Sequence, residues 1–255
     1  MSVSWLHPHF TAAGAVVGVA AAAYVIAVAP LLGRWKYQRL ARARSHDAGA
    51  LTRFYRLSLI IGWGWVVVVL GVPALSPLVK PGDLGLAWPS GSGAGVAIGA
   101  TVALLVLFGL TAIAIRRYVA SGRPLPGQGR FAALVPETSA ERRLAGAVTV
   151  TAGISEELLC RGLLIATGVG VFRLPVLVAA ALAVLLFGLA HLYQGATGVL
   201  GTAIVGAVLT ALYLASGSLL LPILVHIALD ARSLLLARVP PALPAPAAPA
   251  PAADP

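Results

Sequence analysis

The sequence predicts an all-α, polytopic transmembrane bundle of about seven spans, with a polar metal site among its C-terminal helices. Three observations predict it. Apolar residues make up 59% of the 255-residue chain and charged residues only 10%, whereas an ordinary soluble domain is ~25% charged. Mean hydropathy is +0.94. The apolar residues are gathered into runs of about 20, the length that crosses a hydrocarbon core. The basic residues fall in the short stretches between runs. A net charge of +10 therefore reads as membrane topology. No recognisable nucleic-acid module accompanies it, so lipid is the implied partner and nucleic acid is not.

The first run, 11–32, is too long for a cleaved signal segment and reads as a retained span. Runs at 57–79 and 95–115 follow. Between the first two runs lie Arg34, Lys36, Arg39, Arg42, Arg44, Arg53 and Arg56. After the third come Arg116, Arg117, Arg123, Arg130, Arg142 and Arg143. The 80–94 connection (KPGDLGLAWPSGSGA) carries only Lys80. Basic loops stay cytoplasmic, which puts the N-terminus and the 80–94 turn outside. Four further spans are expected at 144–169, 174–194, 198–215 and 219–238, with the C-terminus cytoplasmic. An eighth arises if one stretch re-enters or breaks. Residues 1–239 thus read as one integral membrane domain, and the Pro/Ala-rich 240–255 as a disordered tail.

Six polar groups break the apolar pattern: Glu156, Glu157, Arg161, His191, His226 and Asp230. A lone charge near the bilayer centre costs ~2.5–3.5 kcal/mol on insertion scales, so these groups must turn inward, pair, bind a metal or line water. Glu157 and Arg161 are spaced i,i+4 and can neutralise one another. Glu156, about 100° around the same helix, is left to face another element. His226 and Asp230 are again i,i+4 on a separate run, and His191 lies on a third. Two imidazoles and a carboxylate are a ligand set for Zn²⁺ that leaves a position for water. A nearby glutamate can take the water proton and return it to a leaving amine. Asp230 fits either a ligand or a residue that orients one. With these boundaries His191 lies near the cytoplasmic end of its span, and a longer or tilted fifth helix, or different boundaries, would level it with Glu156 and His226.

Other chemistries lack their signatures. There is no His-Glu-x-x-His helix and no Gly-x-Ser-x-Gly elbow. Ser155 reads as packing. Cys160, the only cysteine, excludes an intramolecular disulfide and reads as a core residue. The glycine-rich 91–99 lacks the Gly-Lys-Ser/Thr of a phosphate loop.

At these residues the chain resembles the CPBP family of intramembrane metalloproteases, the CAAX-protease and bacteriocin-processing group. Glu156-Glu157-Leu-Leu-Cys-Arg161 is similar to its Glu-Glu-x-x-x-Arg motif, Phe187-Gly-Leu-Ala-His191 to Phe-x-x-x-His, and His226-Ile-Ala-Leu-Asp230 to His-x-x-x-Asn/Asp. The three motifs span roughly 140–235 in order, and KPGDLGL at 80–86 resembles a stretch found upstream in the family. The resemblance implies a zinc-dependent intramembrane endopeptidase acting on a membrane-associated protein or peptide. Glu156 takes the position of the water-activating glutamate, His191 and His226 those of the metal-centre histidines, with Glu156 and Asp230 as further candidate ligands. Glu157 and Arg161 take supporting positions, and Phe187 packs against His191. The Ala/Arg/Pro-rich composition is that of a high-GC bacterium, which implies a bacterial inner membrane. Two other classes compete: a non-catalytic membrane binding or bacteriocin-immunity protein using the same cluster, and a proton-coupled transporter. The transporter class calls for paired repeats, which are not evident.

Overall fold

A computed structural model describes residues 5–121 and 128–236. The tail expected at 240–255 lies outside the described residues. Every regular element among the described residues is helical, and seven helical segments follow one another. Helix α1, Ala12–Ala43, starts at the Thr11 cap and contains a π turn at Tyr24–Val28. Helices α2, Ala50–Leu75, and α3, Ala94–Ala120, are uninterrupted. Helix α4 runs through Ser139–Glu157, a π segment at Leu158–Leu164, and Ile165–Gly170. Then come α5, Val176–Ala190, α6, Leu192–Ser216, whose first turn is 3-10, and α7, Leu220–Leu235.

The expected count of about seven spans is corrected by this architecture. Four helices among the described residues are long and apolar enough to cross a membrane: Ala12–Ala43, Ala50–Leu75, Ala94–Ala120 and Leu192–Ser216. The other three fall short for two physical reasons. Helix α4 has the length but carries Glu141, Arg142, Arg143, Glu156, Glu157 and Arg161. Helices α5 and α7 have 15 and 16 residues, against the ~20 that a perpendicular crossing needs. Apolar runs that look continuous in sequence are broken in space by Pro175, His191, Gly217 and the turns they sit in. Several long apolar helices nonetheless make this a polytopic membrane protein.

The helices invert the soluble pattern. Side chains such as Ile60, Val67, Val96 and Leu110 are exposed, as lipid-facing groups are, while Glu157, Arg161, Thr210 and His226 are buried. Helix α4 sits at the centre, against α2 and α7, with α5 packed on α6 and α3 lying outside α6 and α7.

Polar links close both ends of the bundle. At one end, buried Asp83 accepts from the backbone N–H of His7 (3.1 Å) and of Lys80 (2.9 Å), folding 81–85 into a 3-10 turn that ends on left-handed Gly85. The Gly85 carbonyl then accepts from the Leu219 N–H at 2.9 Å. The KPGDLGL stretch is therefore a plug that joins the N-terminus to the α6–α7 turn. At the other end, Thr138 and Glu141 form a capping box at the start of α4, and Arg44 grips both Glu141 oxygens, at 2.7 and 3.2 Å. The Tyr55 hydroxyl donates to the Leu134 carbonyl beside it.

Candidate functional site

The chemistry-bearing residues come from α4, α5 and α7. The π segment begins directly after Glu157, and widening the helix there keeps Glu157 and Arg161 on one inward face. Both are buried, and Arg161 Nη1 donates to Glu157 Oε1 at 2.8 Å. The rest of the guanidinium is fully engaged. Nε donates to Thr210 Oγ1 (3.3 Å), Nη2 donates to the Gly206 carbonyl (3.1 Å), and Cζ lies 4.2 Å from the Phe187 ring centroid. Gly206 has to be small, because a Cβ there would stand 2.9 Å from Phe187 and 3.2 Å from Arg161.

His226 projects from α7 into the same buried point. Its Nδ1 is 2.8 Å from Glu157 Oε1. A carboxylate that already accepts from Arg161 can only accept, so Nδ1 carries the proton. The opposite nitrogen, Nε2, lies 3.9 Å from Glu156 Oε2 and 3.7 Å from Asp230 Oδ2. His191 is ordered in the same way, its Nδ1 2.9 Å from the Phe187 carbonyl, which again can only accept. Each imidazole therefore presents Nε2 as its available nitrogen, the arrangement in which a second partner orients a ligating histidine. Phe187 separates the two rings, with its edge to His226 (5.9 Å between centroids) and tilted on His191 (5.0 Å).

The boundaries of the fifth helix differ from those expected. Helix α5 is shorter than the expected 174–194 and stops at Ala190, with His191 as its C-terminal cap. His191 therefore stands at the end of its helix, beside the cavity that the other groups line. Glu156, His191, His226 and Asp230 all line one cavity of about 570 Å³. A narrower recess of about 260 Å³, walled by Tyr24, Trp65 and Leu159, shares Glu156 and His191 with it. Cys160 is buried in the core and outside the larger cavity, and Ser155 is a buried packing residue that faces the narrower recess, against Gly62.

The donor types suit zinc, but their spacing is open. Ligands about 2.0–2.2 Å from one tetrahedral zinc sit roughly 3.3 Å from each other. The separations around His226 Nε2 are wider, and no group of three or more His, Cys, Asp or Glu among the described residues is placed to hold a metal ion.

Residues 141–232, a little over a third of the chain, match the family model described as "Type II CAAX prenyl endopeptidase Rce1-like". That stretch is a CAAX-protease-like domain. It begins at the Glu141 cap, contains all six polar groups, and ends two residues after Asp230. No curated protein and no solved structure matches the chain.

Four residues around the CAAX-protease-like site escaped sequence reasoning. Thr210 and Gly206 hold Arg161 from α6, where a threonine and a glycine resemble ordinary small packing residues. Tyr193 stacks between Tyr37 and His191. Lys36 lines both cavities but stands in a basic run that topology already explained.

Proposed function

We propose that the chain is an intramembrane zinc-dependent endopeptidase that hydrolyses a peptide bond in a membrane-associated protein or peptide. The observation that carries this reading is the single cavity lined by Glu156, His191, His226 and Asp230 within a CAAX-protease-like domain. Glu156 is the base. Its side chain is 36% exposed and among the described residues has no closer tie than the 3.9 Å approach to His226, so it is free to take a proton from water and hand it to the departing amine. Glu157, paired with Arg161, fixes the tautomer of His226, and the Phe187 carbonyl does the same for His191. Those two imidazoles, with Asp230 or Glu156, would hold the metal. Zinc supplies Lewis acidity toward water and toward the scissile carbonyl when bound. Phe187 and the apolar walls of the recess keep bulk water from the carbonyl, which strengthens each polar contact inside.

The same reading takes 1–239 as one membrane domain with its catalytic core at about 140–235, in a bacterial inner membrane. Its basic loops face the cytoplasm and its N-terminus faces out. The C-terminal end of α7 belongs to the cytoplasmic end as well, since Arg142, beside the basic 116–143 stretch, donates to the Leu235 carbonyl at 3.2 Å.

The test combines metal analysis of purified protein with cleavage of membrane-associated peptides by wild type, Glu156→Ala and His226→Ala. Stoichiometric zinc and loss of cleavage in both variants are expected. A metal-free wild type that both variants match in cleavage ends the reading.

A further inference from the structure

Lys36 differs from the other cations of α1. Arg34, Arg39 and Arg42 on the same helix are exposed, as cations at a membrane edge are. Lys36 is half-buried and lines both the larger cavity and the narrower recess, alongside Glu156, Phe187, His191 and Tyr193. Its Nζ lies 5.8 Å from the Phe54 ring centroid. It makes no ion pair among the described residues.

The remaining charges sharpen the contrast. Arg161 is committed to Glu157, and Arg44 to Glu137 and Glu141. The cavity wall otherwise offers the carboxylates of Glu156 and Asp230. An anionic group entering the cavity is repelled by those carboxylates and attracted by Lys36. Helix α1 is docked there firmly enough to hold the charge in place. Tyr37 stacks on Tyr193 at 5.3 Å, and a Cβ on Gly33 would already touch the Ala190 carbonyl at 3.5 Å.

We propose that Lys36 is a specificity residue that binds a carboxylate of the peptide, either its free C-terminus or an acidic side chain, and so directs the neighbouring peptide bond toward Glu156. This rests on the endopeptidase reading for its purpose, and on the cavity alone for the binding step. A carboxylate held by one ammonium in a partly desolvated groove is worth about tenfold in affinity.

Binding is measured by fluorescence anisotropy on detergent-solubilised Glu156→Gln protein, with fluorescein-labelled alanine/leucine hexapeptides. Three probes are used: a free C-terminal carboxylate, the matching C-terminal amide, and the amide carrying one aspartate. One or both carboxylate probes should bind about tenfold tighter than the plain amide. Adding Lys36→Ala should erase that preference with the amide little changed, Lys36→Arg should retain most of it, and Lys36→Glu should reverse it. Which probe gains identifies the source of the carboxylate. Equal binding of all three probes, failure of any to bind, or a preference that survives Lys36→Ala overturns the proposal. Cleavage of the same peptides by otherwise wild-type protein separates the two claims. Lys36-dependent binding without cleavage sinks the endopeptidase reading and leaves this one. Cleavage with the same KM for all three probes, with or without Lys36, does the opposite.

Discussion

Oε1 of Glu157 lies 2.8 Å from Nδ1 of His226 and also accepts Nη1 of Arg161 at 2.8 Å. One buried oxygen thereby joins α4 to α7, and through Arg161 to Thr210 and Gly206 on α6. The cost of holding three ionisable side chains out of water is offset only while each keeps its partners. The orientation of His226 and the integrity of the bundle core therefore depend on the same atom.

Glu157→Ala should destabilise the protein by about 3–5 kcal/mol, because it strands the buried Arg161 charge. Thermal unfolding in detergent reads this directly. Glu157→Ala/Arg161→Ala should lose less than the sum of the single variants. Strict additivity would show that the pair is not energetically coupled.

Arg161→Lys keeps the charge and loses the fork. The Nε bond to Thr210, the Nη2 bond to the Gly206 carbonyl and the guanidinium contact over the Phe187 ring all disappear. A loss of about 1–3 kcal/mol is expected, with Thr210→Val costing about 1 kcal/mol. An unfolding midpoint for Arg161→Lys equal to wild type would mean that charge alone matters at this position.

Gly162 lies against the 81–85 plug. A Cβ there would come within 2.9 Å of the Leu84 carbonyl oxygen, a backbone atom with little room to retreat because the adjacent Gly85 carbonyl is tied to Leu219. Gly162→Ala should cost about 1–3 kcal/mol by overpacking. Gly146→Ala, on the same helix with nothing within 4 Å of its new Cβ, should be neutral or slightly stabilising. Equal melting behaviour of the two variants would refute close packing at Gly162.

The Arg44–Glu141 clamp predicts a pH dependence. Burial pushes the Glu141 carboxyl up, but the Arg44 hydrogen bond, the Glu137 and Thr138 N–H groups and the Arg44 charge outweigh it and hold the carboxyl below its ordinary range. A depressed carboxylate contributes stability that is fully present above its unfolded value of ~4.3 and lost as pH falls through the folded value. Unfolding midpoints of wild type and Glu141→Gln should differ at pH 7 and converge as pH falls through the acid range. A difference that persists undiminished at acid pH would assign the effect to shape instead of charge.

Much of the candidate site's composition was legible in the sequence. Glu157 and Arg161 announce themselves by i,i+4 spacing inside an apolar run, as do His226 and Asp230, since a membrane-embedded charge needs a partner within reach of its own helix turn. The span count was not legible in the same way. Hydropathy measures transfer of a segment into lipid, and it does not distinguish a helix that meets lipid from one that meets protein. Val176–Ala190 and Leu220–Leu235 are apolar yet short, and α4 is long yet charged. Tyr193, Thr210 and Lys36 were hidden for a related reason, since each has an ordinary local explanation and acquires its role only from a neighbour on another helix.

Composition and periodicity were sufficient to establish an all-helical membrane protein and to single out six residues that lipid would reject. That follows from transfer energies, which belong to each segment alone. Where α5 stops, which nitrogen of each histidine is left available, and which wall of the cavity carries Lys36 are matters of packing between helices distant in sequence. Such contacts exist only once the helices are assembled, and they bring Glu156, His191, His226 and Asp230 to one cavity with the Glu157–Arg161 pair behind His226.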